Sequence, residues 1–538
     1  MDKKLFLNLR STFDNKPALL LTLILAFFLT LSIKFVPLVY TFYKPVDFNT
    51  YKLFPLDFFD FVSWVAIFFA LKFMVDFLAE NLKCNCTAQK VSNGVFLSLA
   101  VFFILSWLPY FLAFYPGTVF YDEIYSMRDP FKISSQSYFY GSVLKFFWEL
   151  GILVGDETFG FAIFIILRMF VMALSFSYLI CFLCERGISV KFLCIASLIF
   201  AFLPIFPNNA ITIQKDGLNS IFILLISIFL YKRKDSIYAI FSDKKTFLKF
   251  LALSSLIILF RSNGIHAMIF TSLVFFYLEK KARFRVFLFM VLILAIAIIP
   301  NRGRHAPFEE TVGVPIQHIG RTLYNNGEIT EQDKIIFNSV MDLEKWKSSY
   351  NVLTVDSTKW ANGFNSFYLR KHKSEFLMAW LRTFPKNISV YLTAHAMNTY
   401  DFWAIAPWMI YGNQTIYTGA ITKEQLNVEN IVNDLNLYLA SDRIFSKKTG
   451  EEFIRFMTDR TFYLNAGSCA FLMLFMVALT FKLGKGRRVI AVLPALFSWL
   501  TVLIASPIAI AFRYVLFFAF LMPFFLVLPF LSDCEQEN

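Results

Sequence analysis

Residues 91–114 read VSNGVFLSLAVFFILSWLPYFLAF, and Tyr115-Pro116-Gly117 follows at once. No charged residue interrupts those positions. A bilayer core is about 30 Å thick and takes about 20 apolar residues as a helix, so the stretch is long enough to cross it. Pro-Gly then signals a turn at the membrane edge. Moving outward in both directions, apolar runs of similar kind recur near 17–40, 54–79, 159–183, 192–206, 217–231, 248–260, 264–278, 286–300, 461–481, 489–506 and 511–531. Of the 538 residues 57% are hydrophobic and 17% charged, where a soluble domain carries about 25% charged residues. The pattern predicts an all-α polytopic membrane protein with about 12 transmembrane helices, and excludes a disordered chain or a disulfide scaffold. Several middle runs are short, which suits helices that line a cavity or are shielded by neighbours.

Charge placement gives the orientation. Lys3, Lys4, Arg10 and Lys16 precede the first run, and alternate loops hold Lys83, Lys90, Arg186, Lys191, residues 232–249 with six basic side chains, Lys280, Lys281, Arg283, Arg285, Lys482, Lys485, Arg487 and Arg488. The opposite short loops carry far fewer. By the positive-inside rule both termini are cytoplasmic. The net charge of +13 is therefore mainly a topology signal, and no nucleic-acid partner is expected. The first run is too long for a removed signal peptide and reads as an uncleaved anchor. The expected organisation is three transmembrane helices over 1–114, a large outer loop with interfacial helices over 115–158, six helices over 159–300, a mainly helical extracytoplasmic domain over 301–460, and three helices with a cytoplasmic tail over 461–538. The apolar part of that domain, Ile388 to Ile410, contains His395, Asp401 and Pro407; a full span there would reverse every later loop, so it is placed at the interface.

Seven cysteines fall in spans or on the basic side, and five histidines show no metal-ligand spacing, so no structural zinc is expected. No Gly-rich phosphate loop or nucleophile elbow is present. Ionisable residues at the outer ends of spans are the informative ones. Asp122 and Glu123 are adjacent, so their side chains diverge; one suits a base and the other a metal or orienting ligand, while the plain alternative is a solvated acid pair at a loop start. Lys215-Asp216 either neutralise each other at a helix start or present an ammonium to a lipid phosphate. Arg261-Ser262-Asn263-Gly264 is a tight outer turn and Arg513-Tyr514 lies at the start of the last run; each cation alone could snorkel. Arg168, inside the fourth run, is expected to pair within the bundle. Pro315-Ile316-Gln317-His318-Ile319-Gly320-Arg321 follows the ninth run closely enough to fold over the same surface.

Taken in order, Tyr115-Pro116-Gly117 with Asp122, Lys215-Asp216, Arg261-x-Asn263-Gly264, Pro315-x-Gln317 with Arg321, Tyr350 with Asp356 and Lys359, Pro385 with Tyr391, and Arg513-Tyr514 resemble the DUF6020-type group of bacterial polytopic membrane proteins, which is similar in layout to the GT-C glycosyltransferases. The resemblance implies a GT-C-like fold in the bacterial plasma membrane. It implies a transferase that takes a sugar from a polyprenyl-phosphate donor and passes it to a cell-envelope glycan acceptor on the outer face. Asp122 takes the place of the essential acid of the first outer loop, with Glu123 beside it, and the pair is the candidate seat for a divalent cation, Mg2+ or Mn2+. The Gln usual a few residues after that acid is absent from Ile124-Tyr125-Ser126. Lys215, Asp216, Arg261, Asn263, Gln317, Arg321 and Arg513 are the expected substrate- and phosphate-binding set. A polymerase or flippase of lipid-linked polysaccharide would need the same basic cavity and is the alternative.

Overall fold

The computed structural model describes residues 15–40, 49–81, 90–118, 123, 137–155, 157–302, 307–405, 465–506, 508, 509 and 511–533. Among them there is no strand, only two isolated bridges, Thr118 with Thr212 and Thr354 with Ile508. The helices are α1 Lys16–Tyr40, α2 Phe58–Asn81, α3 Asn93–Ala113, α4 Tyr138–Val154, α5 Glu157–Glu185, α6 Val190–Phe202, α7 Ile205–Ala210, α8 Lys215–Lys232, α9 Ile237–Ser242, α10 Lys244–Phe260, α11 Gly264–Leu278 and α12 Arg283–Ile298. They continue with α13 Phe308–Thr311, α14 Gly313–Tyr324, α15 Glu331–Val340, α16 Leu343–Ser349, α17 Asp356–Lys359, α18 Ser366–Lys371, α19 Lys373–Thr383, α20 Ile388–Asn398, α21 Ala466–Lys482, α22 Leu493–Ala505 and α23 Phe517–Val527.

The quoted stretch forms α3. Ser92 accepts the amide of Val95 as its N-cap, satisfying one of the donors a helix start leaves open. Pro109 sits inside it, which neighbouring helices tolerate in membrane bundles. Trp107 is fully buried and its indole N–H donates to the Phe200 carbonyl at 3.1 Å. α4 and α5 are joined by Gly155 in the left-handed region, φ 82°, which reverses the chain. A Cβ at Gly160 would strike the Phe147 carbonyl, so the two helices meet backbone to backbone.

Six helical segments are long and apolar enough to cross a membrane: Lys16–Lys34, Phe58–Asn81, Asn93–Ala113, Thr158–Glu185, Lys280–Asn301 and Gly486–Ala505. The expectation of twelve such spans is therefore corrected among the described residues. The other six expected runs are α6, α8, α10, α11, α21 and α23, of 13, 18, 17, 15, 17 and 11 residues. Their shortness has local causes. Leu203, extended at ψ 122°, precedes Pro204, and a residue before proline is disfavoured in the α region. Arg261 is extended as well, and the turn to Gly264 separates α10 from α11. α8 carries Lys215 and Asp216 at its start and Lys232 at its end, and nearly all its residues are buried. It is an inner helix shielded by α5, α10, α22 and α23.

At one end of the bundle, residues 307–405 form a helical domain with its own core of Ile316, Ile319, Phe337, Val340, Trp346, Leu369 and Phe376. Within the region expected to lie at the interface, α20 covers 11 residues, about 16 Å of helix, which is too short to span. Residues 406–410 lie outside the described set. At the opposite, basic end, Arg488 donates to the carbonyls of Leu528 and Pro529 at 3.2 and 2.9 Å and pairs with Asp533 at 2.5 Å, which closes the C-terminal end of α23.

Gly117, at the domain end, has φ 132°. A Cβ there would lie 2.7 Å from both the Ile211 carbonyl and Ile165 Cγ1. Its neighbour Thr118 donates to Ile211 O at 2.9 Å and accepts from Ile213 N at 2.9 Å. Gly117→Ala therefore meets both a rarely adopted backbone region and a backbone clash, and is expected to lower stability by about 1–3 kcal/mol. Thermal unfolding in detergent reads it; an unchanged midpoint would refute the strained conformation.

Candidate functional site

The site is built around the start of α8. α7 ends at Ala210, and Ile211 to Ile213 run beside Thr118 before Lys215 opens α8. Gln214 occupies the N-cap position and makes no side-chain cap bond. The start is instead served by Glu123, whose Oε1 lies 3.5 Å from the Lys215 backbone nitrogen and 3.6 Å from Lys215 Nζ. A carboxylate is favourable at the positive end of a helix dipole. Asp216, in the first turn, pairs with Arg261 Nη1 at 3.0 Å. That guanidinium also donates to the Tyr514 carbonyl at 3.0 Å, and its carbon lies 4.7 Å from the centre of the Tyr514 ring. Arg513 approaches the same ring at 5.2 Å, a cation–π geometry that ties the turn before α23 to the turn before α11.

Beneath this layer Arg168, from the middle of α5, is fully buried. Its Nε donates to Asn209 O at 2.9 Å and its Nη1 to Gln214 O at 2.5 Å. A Cβ on Gly217 would collide with Nη2, so glycine in the first turn of α8 is what admits the guanidinium. Tyr140, from α4, donates its hydroxyl to Ile213 O. Arg168 and Tyr140 together hold the backbone of 209–214 and hence set where Lys215 stands.

The structure brings Glu123, Lys215, Asp216 and Arg261 together, and Arg513 stands beside them through the ring of its neighbour Tyr514. Lys215 and Asp216 do not neutralise each other; each pairs outward with a residue from another element. Asp122 lies outside the described residues. Asn263 is the N-cap residue of α11 without a side-chain cap bond, and a Cβ on the next residue, Gly264, would lie 2.6 Å from Ile257 O, so the turn is tight. Gln317 takes up structural bonds within the domain, and Arg321 ties the domain to the segment before α2. Gln317 donates to Asn351 O at 3.0 Å and Asn398 Oδ1 at 3.3 Å, and Asn398 donates to Ser506 O at 2.6 Å. Arg321 donates to Tyr51 O and lies 3.4 Å from the Tyr350 hydroxyl. Other motif residues behave likewise: Lys359 pairs with Glu310 and Asp356, both at 2.9 Å, and Tyr391 donates to Trp380 O at 3.0 Å. Arg168, Tyr140 and Tyr514 complete the site. An arginine in the middle of an apolar run was the available signal for the first, and the Arg513-Tyr514 motif for the third.

Asp122, half of the expected divalent-cation seat, lies outside the described residues. No group of three His, Cys, Asp or Glu able to hold a metal occurs among the described residues, and Glu123 already faces an ammonium.

Within the domain, His318 is buried against Tyr391, ring centres 4.7 Å apart, and His395, 5.9 Å apart. Trp380 Nε1 lies 3.3 Å from His318 Nδ1; an indole only donates, so Nδ1 is the acceptor and the ring is neutral. Burial, aided by His395, pushes the His318 imidazole down from 6.5 to about 3. The unfolded chain then binds a proton that the folded chain does not, so stability is present above the unfolded value and falls as pH drops from about 6.5 towards 3. His318→Phe, which keeps a ring in the stack, is expected to flatten the dependence of the melting temperature between pH 7 and 4; an unaltered slope would overturn the assignment.

No curated protein and no solved structure matches the chain. The model of DUF6020, a family of unknown function, matches residues 133–538. That match begins after Glu123 and takes in Tyr140, Arg168, Lys215, Asp216, Arg261 and Arg513. Since it covers well over half of the chain, the protein belongs to the DUF6020 family.

Proposed function

We propose that this protein is a membrane glycosyltransferase, of the GT-C kind its motifs resemble, moving a sugar from a polyprenyl-phosphate donor to a cell-envelope glycan on the outer face of the bacterial plasma membrane. One observation carries the reading. In the cluster at the domain end the carboxylates are sealed, with 1% and 3% of the Glu123 and Asp216 side chains exposed, while Lys215 and Arg261 keep 15% and 13%. The accessible edge of a buried ion network is thus cationic, at the end of apolar helices where a lipid phosphate would lie. Arg168 makes three cations against two carboxylates in that network.

The chemistry assigned to these residues is short. The bond between the sugar C1 and the phosphate oxygen breaks, the bonding pair leaves with the phosphate, and Lys215 and Arg261 stabilise the resulting anion. The acceptor hydroxyl forms the new bond to C1, and its proton passes to a base, for which Asp122 is the candidate. Glu123 orients Lys215, and no step is routed through a metal. In this reading the basic far end of the bundle faces the cytoplasm, as the positive-inside rule expects.

The test uses full-length protein in lipid nanodiscs with a polyprenyl-phosphate monosaccharide labelled in the sugar. Release of polyprenyl phosphate, with label in a glycan acceptor, supports the assignment. Asp122→Asn is expected to lower turnover by about 100-fold or more, the range of a lost general base. Full activity in that variant would sink the role of Asp122. In liposomes, movement of the intact lipid across the bilayer without release would make the protein a flippase instead.

A further inference from the structure

The corner formed by α19, the 3-10 turn Phe384–Lys386 and α20 leaves a stripe of apolar side chains uncovered. Met378, Leu381, Phe384, Ile388 and Leu392 are each between 39% and 51% exposed. Their spacing of three and four residues places them on one face of successive helical turns. Lys371, Lys373 and Lys386 flank the stripe and are exposed. Inward, the same elements bury Phe376, Ala379, Tyr391 and Ala394, so the stripe is additional to the face that makes the domain's core.

Its depth follows from what α20 touches. Ser389 donates to Phe54 O, and Thr393 accepts from Phe54 N at 3.2 Å. Phe54 lies four residues before α2, whose first turns carry Phe58 and Phe59, 74% and 77% exposed, the lipid-facing surface of a span. Lys34 near the end of α1 pairs with Asp60 and reaches Pro55 O at 3.4 Å, an ion pair that marks the polar boundary. α20 runs past that boundary into the bundle. Met397 clusters with Leu31 and Leu503, the Trp403 ring stacks on Phe28 at 6.3 Å, and Ile405 N donates to Ser32 Oγ at 3.0 Å. The stripe therefore borders the rim of the spanning helices.

We propose that the α19–α20 corner is a membrane-docking element that lays Met378, Leu381, Phe384, Ile388 and Leu392 into the boundary between headgroups and acyl chains, with Lys371, Lys373 and Lys386 at the lipid phosphates. Apolar faces rimmed by lysine bind such boundaries to a depth of about 5–10 Å. The lysine stems cover apolar surface while their ammonium groups reach outward. Docking presses the domain onto the bilayer and holds Gln317 and Asn398, one hydrogen bond apart, at membrane level. The assignment stands independently of the transfer reaction.

The test places nitroxide spin labels at Phe384→Cys and Ile388→Cys in full-length protein whose seven native cysteines are replaced by serine or alanine, checked as monodisperse in nanodiscs of phosphatidylcholine and phosphatidylglycerol. Leu381→Cys and Leu392→Cys form a second pair should the first fail to fold. Phe367→Cys, 78% exposed in the native chain and off the stripe, is the aqueous control. The expected result is a ratio of oxygen to water-soluble nickel collision rates several-fold higher on the stripe than at Phe367. A ratio equal to the control would overturn the proposal. So would immobilised labels in nanodiscs holding two copies and mobile ones in nanodiscs holding one, since the occupant would then be a second chain.

Discussion

Arg168→Met will cost the folded protein about 3–5 kcal/mol, the scale of removing one partner from a buried charge network. Arg168 is fully buried in α5 and its guanidinium is the partner of two carbonyls, Asn209 O and Gln214 O. Methionine fills similar volume and supplies no donor. Two buried acceptors are then left open, each worth about 1–3 kcal/mol, and the carboxylates of Glu123 and Asp216 lose their deepest cation. Arg168→Lys is expected to recover only part of the loss, because an ammonium cannot match the fork that reaches both carbonyls. Thermal unfolding followed by size exclusion in detergent measures the effect. A methionine variant as stable as the native chain would show that the 209–214 segment is held by Tyr140 and the Thr118 bridge alone.

Arg261→Met will be more damaging than the double replacement Arg261→Met with Asp216→Asn. The single change leaves a carboxylate with 3% of its side chain exposed without its direct ion-pair partner, and it also removes the bond to Tyr514 O and the stacking on the Tyr514 ring. About 3–5 kcal/mol is expected for the single variant, with the double variant recovering 1 kcal/mol or more of it, since paired removal of buried charge is often near neutral. The proposed activity separates from stability here. The double variant recovers part of the stability and still lacks one of the two accessible cations, so polyprenyl phosphate release is expected to remain depressed about 100-fold, in the range seen for a lost charge-stabilising donor. Equal stability in the single and double variants would refute the Arg261–Asp216 pair; recovered turnover in the double variant would remove Arg261 from the site.

Much of this was legible in the chain itself. α3 was written in the uncharged run 91–114, and its start at Ser92 follows from ordinary capping chemistry. Lys215, Arg261 and Arg513 stood out because lipid tolerates cations only where they have partners. Gln317 and Arg321 stood out because their motif follows the ninth run and matches the resemblance, yet their hydrogen bonds go to Asn351 and Asn398 inside the domain and to Tyr51 before α2; a polar residue in a motif looks alike whether it binds a ligand or a backbone carbonyl. The spans were overcounted for a related reason. An apolar run such as 217–231 records that its environment excludes water, and a helix buried among other helices satisfies that condition as well as one facing lipid.

By itself the sequence determined that this chain is all-α, that its helices are apolar enough for a bilayer, and where charge interrupts them, because burial of apolar surface and satisfaction of backbone polar groups act on local composition. Only the tertiary structure decided which charges meet. Glu123 with Lys215, Asp216 with Arg261, and Arg168 under both are drawn from four separate stretches of chain. Ion pairing falls steeply with distance and is sharpened by burial, so it is settled by how helices pack and not by what stands next along the chain. The same holds for the stripe on α19 and α20, whose exposure depends on the faces their neighbours leave uncovered.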